Sequence, residues 1–221
     1  MSEYGMPRAR PVLARELLED QLVAVLRARD AADYTPVVEV LVACGIRSIE
    51  VTLTTPRALE ELPRLKERMG DGASIGVGTV TSMAQAAESL TAGAEFIVTP
   101  IYVPGVIELV GSAGVAVLPG AFTPTEIHRA WSEGASAVKI FPASLVHPSF
   151  VRELSGPFPD IMVMPSGGVA FDAISLWLGA GAAAVSMGGA LIGDAFSGDL
   201  AALAARARQA KDAVKAWQDQ A

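Results

Sequence analysis

Residues 137–142 read Ala-Val-Lys-Ile-Phe-Pro, which sets Lys139 inside an apolar run with the length and β-branched content of a buried strand. The other lysines, Lys66, Lys211 and Lys215, all lie in polar, helix-like contexts. A low-dielectric surround disfavours a charged ammonium, and the free amine is the form that attacks a carbonyl carbon to make a Schiff base. A second ionisable residue is out of place in the same way: Ser48-Ile49-Glu50-Val51-Thr52-Leu53 puts a carboxylate in mid-strand among apolar residues and threonine. The period of two sets Glu50, Thr52 and Thr54 on one face of their strand, and Ala137, Lys139 and Phe141 on one face of theirs. If both faces point into a common interior, an amine nucleophile meets a carboxylate able to move protons. Two structural readings compete with this: a strand-end lysine reaching water along its aliphatic stem, and a buried ion pair without chemistry.

The elements that must position these residues follow one repeated order: apolar run, turn, amphipathic helix, glycine. After a short opening helix near residues 12–20, apolar runs lie near residues 22–26, 48–53, 74–80, 95–99, 116–120, 137–141, 161–165 and 183–187. Helical patterns lie between them at about 34–43, 56–69, 82–92, 103–113, 125–133, 149–154 and 171–178, and a long terminal helix starts near Asp199. Ser82 and Thr123 to Thr125 offer N-cap oxygens, Pro36 and Pro56 suit first turns, and Gly45, Gly70, Gly93, Gly114, Gly134 and Gly181 sit where helices must end. Eight strand–helix units, with runs too apolar for a sheet wetted on one side, predict an α/β protein with one parallel sheet closed into a (β/α)8 TIM barrel preceded by a short N-terminal helix. An open doubly wound sheet is the runner-up, but the first strand is not followed by Gly-x-Gly-x-x-Gly, and Gly76-Val77-Gly78-Thr79 is only a partial match in the third. Without an interior linker of low complexity, the chain reads as one domain over residues 1–221, with residues 1–11, including Tyr4 and Arg8 to Arg10, as a flexible, solvated arm.

In such a barrel, chemistry collects at the carboxyl ends of the strands. This selects Arg27, Glu50 with Thr52 and Thr54, Thr79, Thr99 with Pro100, Pro119, Lys139 with Phe141, Ser166 to Gly168, and Ser186 to Gly189. Ser166-Gly167-Gly168 and Gly188-Gly189 end the last two strands, where backbone N–H groups can cradle an anion; tight turns would also require glycine there. His128 and His147, with Cys44 the sole cysteine, cannot assemble a metal-ligand cluster by spacing, so a metal is not expected. Ser144 and Ser166 lack the context of an activated serine nucleophile, and His147 reads as a surface-loop residue. A net charge of -7 argues against nucleic acid or an anionic membrane as partner. One cysteine suits a reducing compartment, and the amino-terminal residues lack the apolar core of a secretory signal, which together predict a cytoplasmic protein. Residues 175–193 carry no charge and reach the length of a membrane span, but Gly179, Gly181, Gly188 and Gly189 break the run; it reads as helix end, turn and buried strand.

Taken in order, Glu50-Val51-Thr52-Leu53, Gly76 to Val80, Val98-Thr99-Pro100, Leu118-Pro119-Gly120, Val138 to Ala143 and Pro165 to Val169 resemble the class I 2-keto-3-deoxy-6-phosphogluconate (KDPG) aldolase and 4-hydroxy-2-oxoglutarate aldolase family from Leu22 to about Lys215. The resemblance implies that Lys139 forms the Schiff base with a 2-keto acid substrate and that Glu50 is the general acid and base. It further implies that Thr79, Pro100 and Phe141 line the pyruvyl pocket, that Gly167 and Gly168 hold the distal anion, and that the enzyme is a metal-independent cytoplasmic homotrimer without a cofactor. The expected reaction is cleavage of a 4-hydroxy-2-keto acid such as KDPG to pyruvate and an aldehyde; 4-hydroxy-2-oxoglutarate and a C4-epimeric or unphosphorylated acid are alternatives.

Two positions depart from the pattern. Many relatives carry arginine where this chain has Thr54, and serine where it has Ala190, so each change removes a donor to an anionic group. A charge-assisted hydrogen bond is worth about 1.5–3 kcal/mol, roughly tenfold to a hundredfold in binding, so cleavage can persist while preference for a phosphorylated acid relaxes. Arg27 is a candidate to supply compensating charge. Readings of other classes are a noncatalytic phosphosugar-binding barrel, and an epimerase or isomerase that uses Glu50 as base.

Overall fold

The computed structural model describes residues 10–220. Among the described residues nine parallel strands form: β1 (Leu22–Leu26), β2 (Ser48–Thr52), β3 (Ser74–Gly78), β4 (Phe96–Val98), β5 (Ala116–Leu118), β6 (Gly120–Ala121), β7 (Val138–Ile140), β8 (Val163–Pro165) and β9 (Val185–Met187). They lie in two sheets, ordered β5-β4-β3-β2-β1-β9 and β6-β7-β8. The fifth expected run is divided at Pro119, which has no N–H to give to a ladder. The two pieces still make one stave, because the Pro119 carbonyl accepts from the Lys139 N–H at 2.9 Å. At the other seam the Ala183 N–H donates to the Val163 carbonyl at 2.9 Å, and Ser166 bridges Ser186. The result is a closed ring of eight staves, as the strand–helix alternation predicts.

Outward positions such as Ile49, Val51, Ile75, Val77, Val138 and Ile140 belong to the large core under the helices. Inward positions form a second core of Val23, Phe96, Val98, Ala116, Leu118, Ala137, Met164 and Ala184. Leu13 and Leu17 join this inner core from the N-terminal segment and from α1 (Arg15–Asp20), so they close the amino-terminal mouth of the ring. Buried Asp20 anchors that plug, accepting from the Arg47 N–H at 2.9 Å, from its guanidinium at 2.9 and 3.0 Å, and from Lys211 at 3.3 Å.

The outer helices are α2 (Tyr34–Ala43), α3 (Ala58–Met69), α4 (Met83–Thr91), α5 (Val106–Ser112), α6 (Pro124–Ser132), α7 (Ser149–Ser155), α8 (Ile174–Gly179), α9 (Gly189–Ile192) and α10 (Leu200–Gln218). Ser82 caps α4, Asp199 caps α10, and Thr123 closes a reciprocal capping box with Glu126 on α6. Several starts come later than expected. Pro56 does not open α3, because Arg57 takes a left-handed φ of 63° and the helix begins at Ala58; Gly105, at φ 80°, delays α5; and α1 begins at Arg15 instead of residue 12. Residues 171–173 form a 3-10 turn ahead of α8.

Residues 175–193 resolve into α8, a turn, β9 and α9, and among the described residues no helix is long and apolar enough to cross a membrane. Most of the expected arm, with Tyr4 and Arg8, lies outside the described residues. Arg10 corrects the solvated reading: its guanidinium stacks 3.4 Å from the Trp131 ring centroid and donates to the Trp131 and Ala135 carbonyls at 3.0 and 3.5 Å.

Candidate active site

Lys139 stands on β7 between the outward residues Val138 and Ile140, which fix its inward direction. Glu50 stands on β2 in register with Val25 and Gly76. These strands belong to different sheets and are not neighbours on the ring, so the side chains can meet only across the interior. They do meet: Lys139 Nζ lies 3.7 Å from Glu50 Oε1, with the two side chains 7% and 1% exposed. Glu50 Oε2 is buried without a hydrogen-bond partner. The arrangement is a dry amine beside a carboxylate with one oxygen uncommitted, suited to exchanging protons with a bound carbonyl compound.

The glycines of β3 make this approach possible. A Cβ on Gly78 would lie 1.9 Å from Glu50 Oε1, and a Cβ on Gly76 would lie 2.3 Å from the Phe96 ring. Gly76-Val77-Gly78-Thr79 is therefore a pair of inward vacancies filled by a carboxylate and a phenyl ring. Thr79, half-buried at the end of β3, has a φ of 61°. That conformation costs a β-branched residue on the order of 1–3 kcal/mol, and such strain tends to gather at functional sites.

Pro100 reaches the same area through Gly120, which is in register with Lys139. A Cβ on Gly120 would fall 2.4 Å from the Pro100 carbonyl oxygen. Thr99 secures this junction by accepting the Gly120 N–H at 3.1 Å and donating to the Ile101 carbonyl. Further out, the partly exposed Phe141 ring lies 5.3 Å from Lys139 Nζ and covers Gly167, where a Cβ would come within 2.9 Å of it.

Gly167 and Gly168 have successive φ values of 85° and 80°, a left-handed pair in which an L side chain would be strained. Their loop is pinned to the segment after β7 by Ala143 N–H to the Ser166 carbonyl at 2.7 Å and Ser144 N–H to the Gly167 carbonyl at 2.9 Å. Below it, Ser166 Oγ donates to Ser186 Oγ at 3.2 Å. Gly188 and Gly189 open α9, whose far end is held by Arg206, donating to the Leu191 and Ile192 carbonyls at 2.7 Å each.

On the opposite rim, Arg27 is exposed, and its Nε–H donates to Thr54 Oγ1 at 3.0 Å. Thr52 gives its only hydroxyl proton to the Leu26 carbonyl at 2.9 Å, so in the 3.0 Å contact between the two threonines it must accept from Thr54. The chain of donors runs from Arg27 through Thr54 and Thr52 to the backbone. His147 is exposed and paired with Ser149 at 3.3 Å, while His128 packs on Phe158 at 4.9 Å. Among the described residues, no three His, Cys, Asp or Glu side chains come together as a metal site.

Sequence reasoning did not single out Gly76, Gly78 and Gly120 as spacers, nor Tyr34, which is fully buried beneath the Thr52–Thr55 turn. Glycines at alternate inward positions of β3 were the available signal for the first two.

Residues 13–205 match the family model for KDPG and KHG aldolases. The chain is 33% identical over 168 residues, 76% of this chain and 82% of the relative, to the 2-dehydro-3-deoxy-6-phosphogalactonate aldolase of Escherichia coli (strain K12). It is 36% identical over 149 residues, 67% of this chain and 69% of the relative, to the 2-dehydro-3-deoxy-phosphogluconate aldolase of Pseudoalteromonas atlantica. Among solved structures, a native KDPGal structure superposes with a TM-score of 0.84 at 30% identity, covering 90% of this chain and 96% of that one. A protein cage designed by fusing symmetric oligomeric domains gives 0.83 at 31%, covering 90% and 73%. A KDPG aldolase from Legionella pneumophila, with pyruvate captured as a covalent carbinolamine, gives 0.80 at 25%, covering 87% and 95%.

Proposed function

Because the chain belongs to the KDPG and KHG aldolase family, we propose that it is a metal-independent class I aldolase that cleaves a 4-hydroxy-2-keto acid. The observation that carries the assignment of roles is the 3.7 Å approach of Lys139 to Glu50 inside the ring. Lys139 Nζ adds to the C2 keto carbon, and loss of water from the carbinolamine gives a protonated imine. The imine withdraws the electron pair of the C3–C4 bond while the C4 hydroxyl gives its proton to Glu50, releasing an aldehyde and leaving an enamine. Glu50 returns the proton to C3, and water hydrolyses the imine to pyruvate and free Lys139.

In this reading Thr79, Pro100 and Phe141 shape the pyruvyl pocket. Ser166, Gly167, Gly168, Gly188 and Gly189 face the distal anion, and Arg27 supplies the cation that position 54 lacks. We propose KDPG as substrate, with pyruvate and glyceraldehyde 3-phosphate as products. Thr54 and Ala190 favour wider acceptance, extending to 4-hydroxy-2-oxoglutarate and to the C4 epimer named for the E. coli relative. We further propose one catalytic domain over residues 1–221, a cytoplasmic location, which the acidic charge and single cysteine support, and a homotrimer. The match to a domain used in symmetric assemblies supports an oligomer, and light scattering on the purified protein tests the number.

Borohydride reduction in the presence of pyruvate should add one reduced pyruvyl group to Lys139, located by peptide mass. Folded protein that gains no adduct would refute the Schiff-base mechanism and leave the noncatalytic barrel or an isomerase that uses Glu50 as base. Comparing turnover of KDPG, its C4 epimer and 4-hydroxy-2-oxoglutarate then ranks the substrates.

A further inference from the structure

We propose that Gly78 is a positioning residue for proton transfer, its missing side chain being the recess that aims the Glu50 carboxylate at Lys139. The inference rests on reading Glu50 as the acid and base. Gly78 lies in β3 and is not among the residues of positive φ, so no left-handed conformation calls for glycine there. Glycine inside a strand also costs about 0.5–1 kcal/mol relative to alanine, so local propensity favours replacement. Only space requires glycine: an added Cβ would stand 1.9 Å from Glu50 Oε1, 2.4 Å from Cδ and 2.5 Å from Cγ.

The backbone cannot retreat to make room. Gly78 is in register with Thr52, its carbonyl accepts the Leu53 N–H at 2.9 Å, and the preceding residue, Val77, is fully buried against the outer core and in register with Ile97. The carboxylate must move instead. Glu50 Oε2 has no hydrogen-bond partner and Oε1 has Lys139 at 3.7 Å, so beyond the pull of that amine the group is aimed by van der Waals packing in this recess. Gly76 makes an informative contrast, because its vacancy takes the Phe96 ring and serves the inner core.

The test separates imine formation from proton transfer. Borohydride trapping of pyruvate reads the first, and exchange of the pyruvate methyl protons in deuterium oxide reads the second. Gly78→Ala should trap pyruvate within a few-fold of the unmodified enzyme. Its exchange rate should fall about a hundredfold, a loss that displacing a catalytic group by about 1 Å can cause. In a Glu50→Ala background the recess is empty, so adding Gly78→Ala should change the residual exchange less than twofold.

Exchange in Gly78→Ala at half the normal rate or more, or an equal loss in both backgrounds, would overturn the proposal. If Gly78→Ala alone does not fold, Glu50→Ala/Gly78→Ala should still unfold in urea at the midpoint of Glu50→Ala, and failure of that double variant to fold would equally overturn it. Absence of adduct and exchange in the unmodified enzyme would instead count against the aldolase reading.

Discussion

Replacing Lys139 and Glu50 together by Met and Leu should leave the protein at least as stable as it is, although either replacement alone should destabilise it. At 3.7 Å and an effective dielectric constant of about 20, the attraction between the charges is about 4.5 kcal/mol. Against this stands a desolvation penalty of several kcal/mol for each of two groups 7% and 1% exposed, together with the unpartnered Glu50 Oε2. The attraction does not repay the burial. Glu50→Leu, which strands the lysine, and Lys139→Met, which strands the carboxylate, should each cost about 3–5 kcal/mol, whereas the double variant should be neutral or gain about 1–4 kcal/mol. Urea unfolding of the four proteins at pH 7.5 and one fixed protein concentration measures the cycle, the concentration being fixed because association shifts apparent stability. If the double variant loses the sum of the two single losses, the groups are not coupled in solution and the energetic reasoning about the site is wrong.

The Tyr34 hydroxyl lies beside Thr55 and the Thr52 backbone without a hydrogen bond of good geometry, and burial raises its pKa from 10.0 to about 12. The folded state thus holds this proton more tightly. Roughly 3 kcal/mol of stability, complete below pH 10, should be lost as the pH rises towards 12, and Tyr34→Phe should remove that alkaline loss in urea titrations. Thr54→Val should free the Arg27 guanidinium and raise KM for the keto acid up to about tenfold while kcat changes less than twofold, as steady-state cleavage will show. Glu126 is held below the usual carboxylate range by the N–H groups of Thr123 and Phe122 and by the Thr123 hydroxyl, so its stabilisation is present above pH 4.5 and fades as the pH falls through its folded value. Glu126→Gln should accordingly flatten the acid limb of a plot of Tm against pH.

The strand–helix alternation was readable because burial on both faces leaves uninterrupted apolar runs, and the inward aim of Glu50 and Lys139 was readable because a strand alternates strictly. Hidden from the sequence was whatever depends on a partner far along the chain. Gly78 resembles part of a phosphate loop until Glu50 is seen to fill its recess. Arg10 looks solvated until Trp131, 121 residues later, meets it. Arg27 was already a candidate to compensate for the cation missing at position 54, but its bond to the Thr54 hydroxyl was not readable. The late start of α3 depends on the left-handed Arg57, whose guanidinium pairs with Asp30.

Lys139 belongs to the three-stranded sheet and Glu50 to the six-stranded one, and hydrogen bonds along two seams join the sheets, one around Val117–Ser136 and Pro119–Lys139 and the other around Val163–Ala183 and Ser166–Ser186. Neither sheet alone contains both of the groups to which catalysis is assigned in the proposed mechanism. A folding chain would therefore gain proton-transfer activity only once the two sheets are joined, and turnover would serve as a clock for circularisation of the sheet.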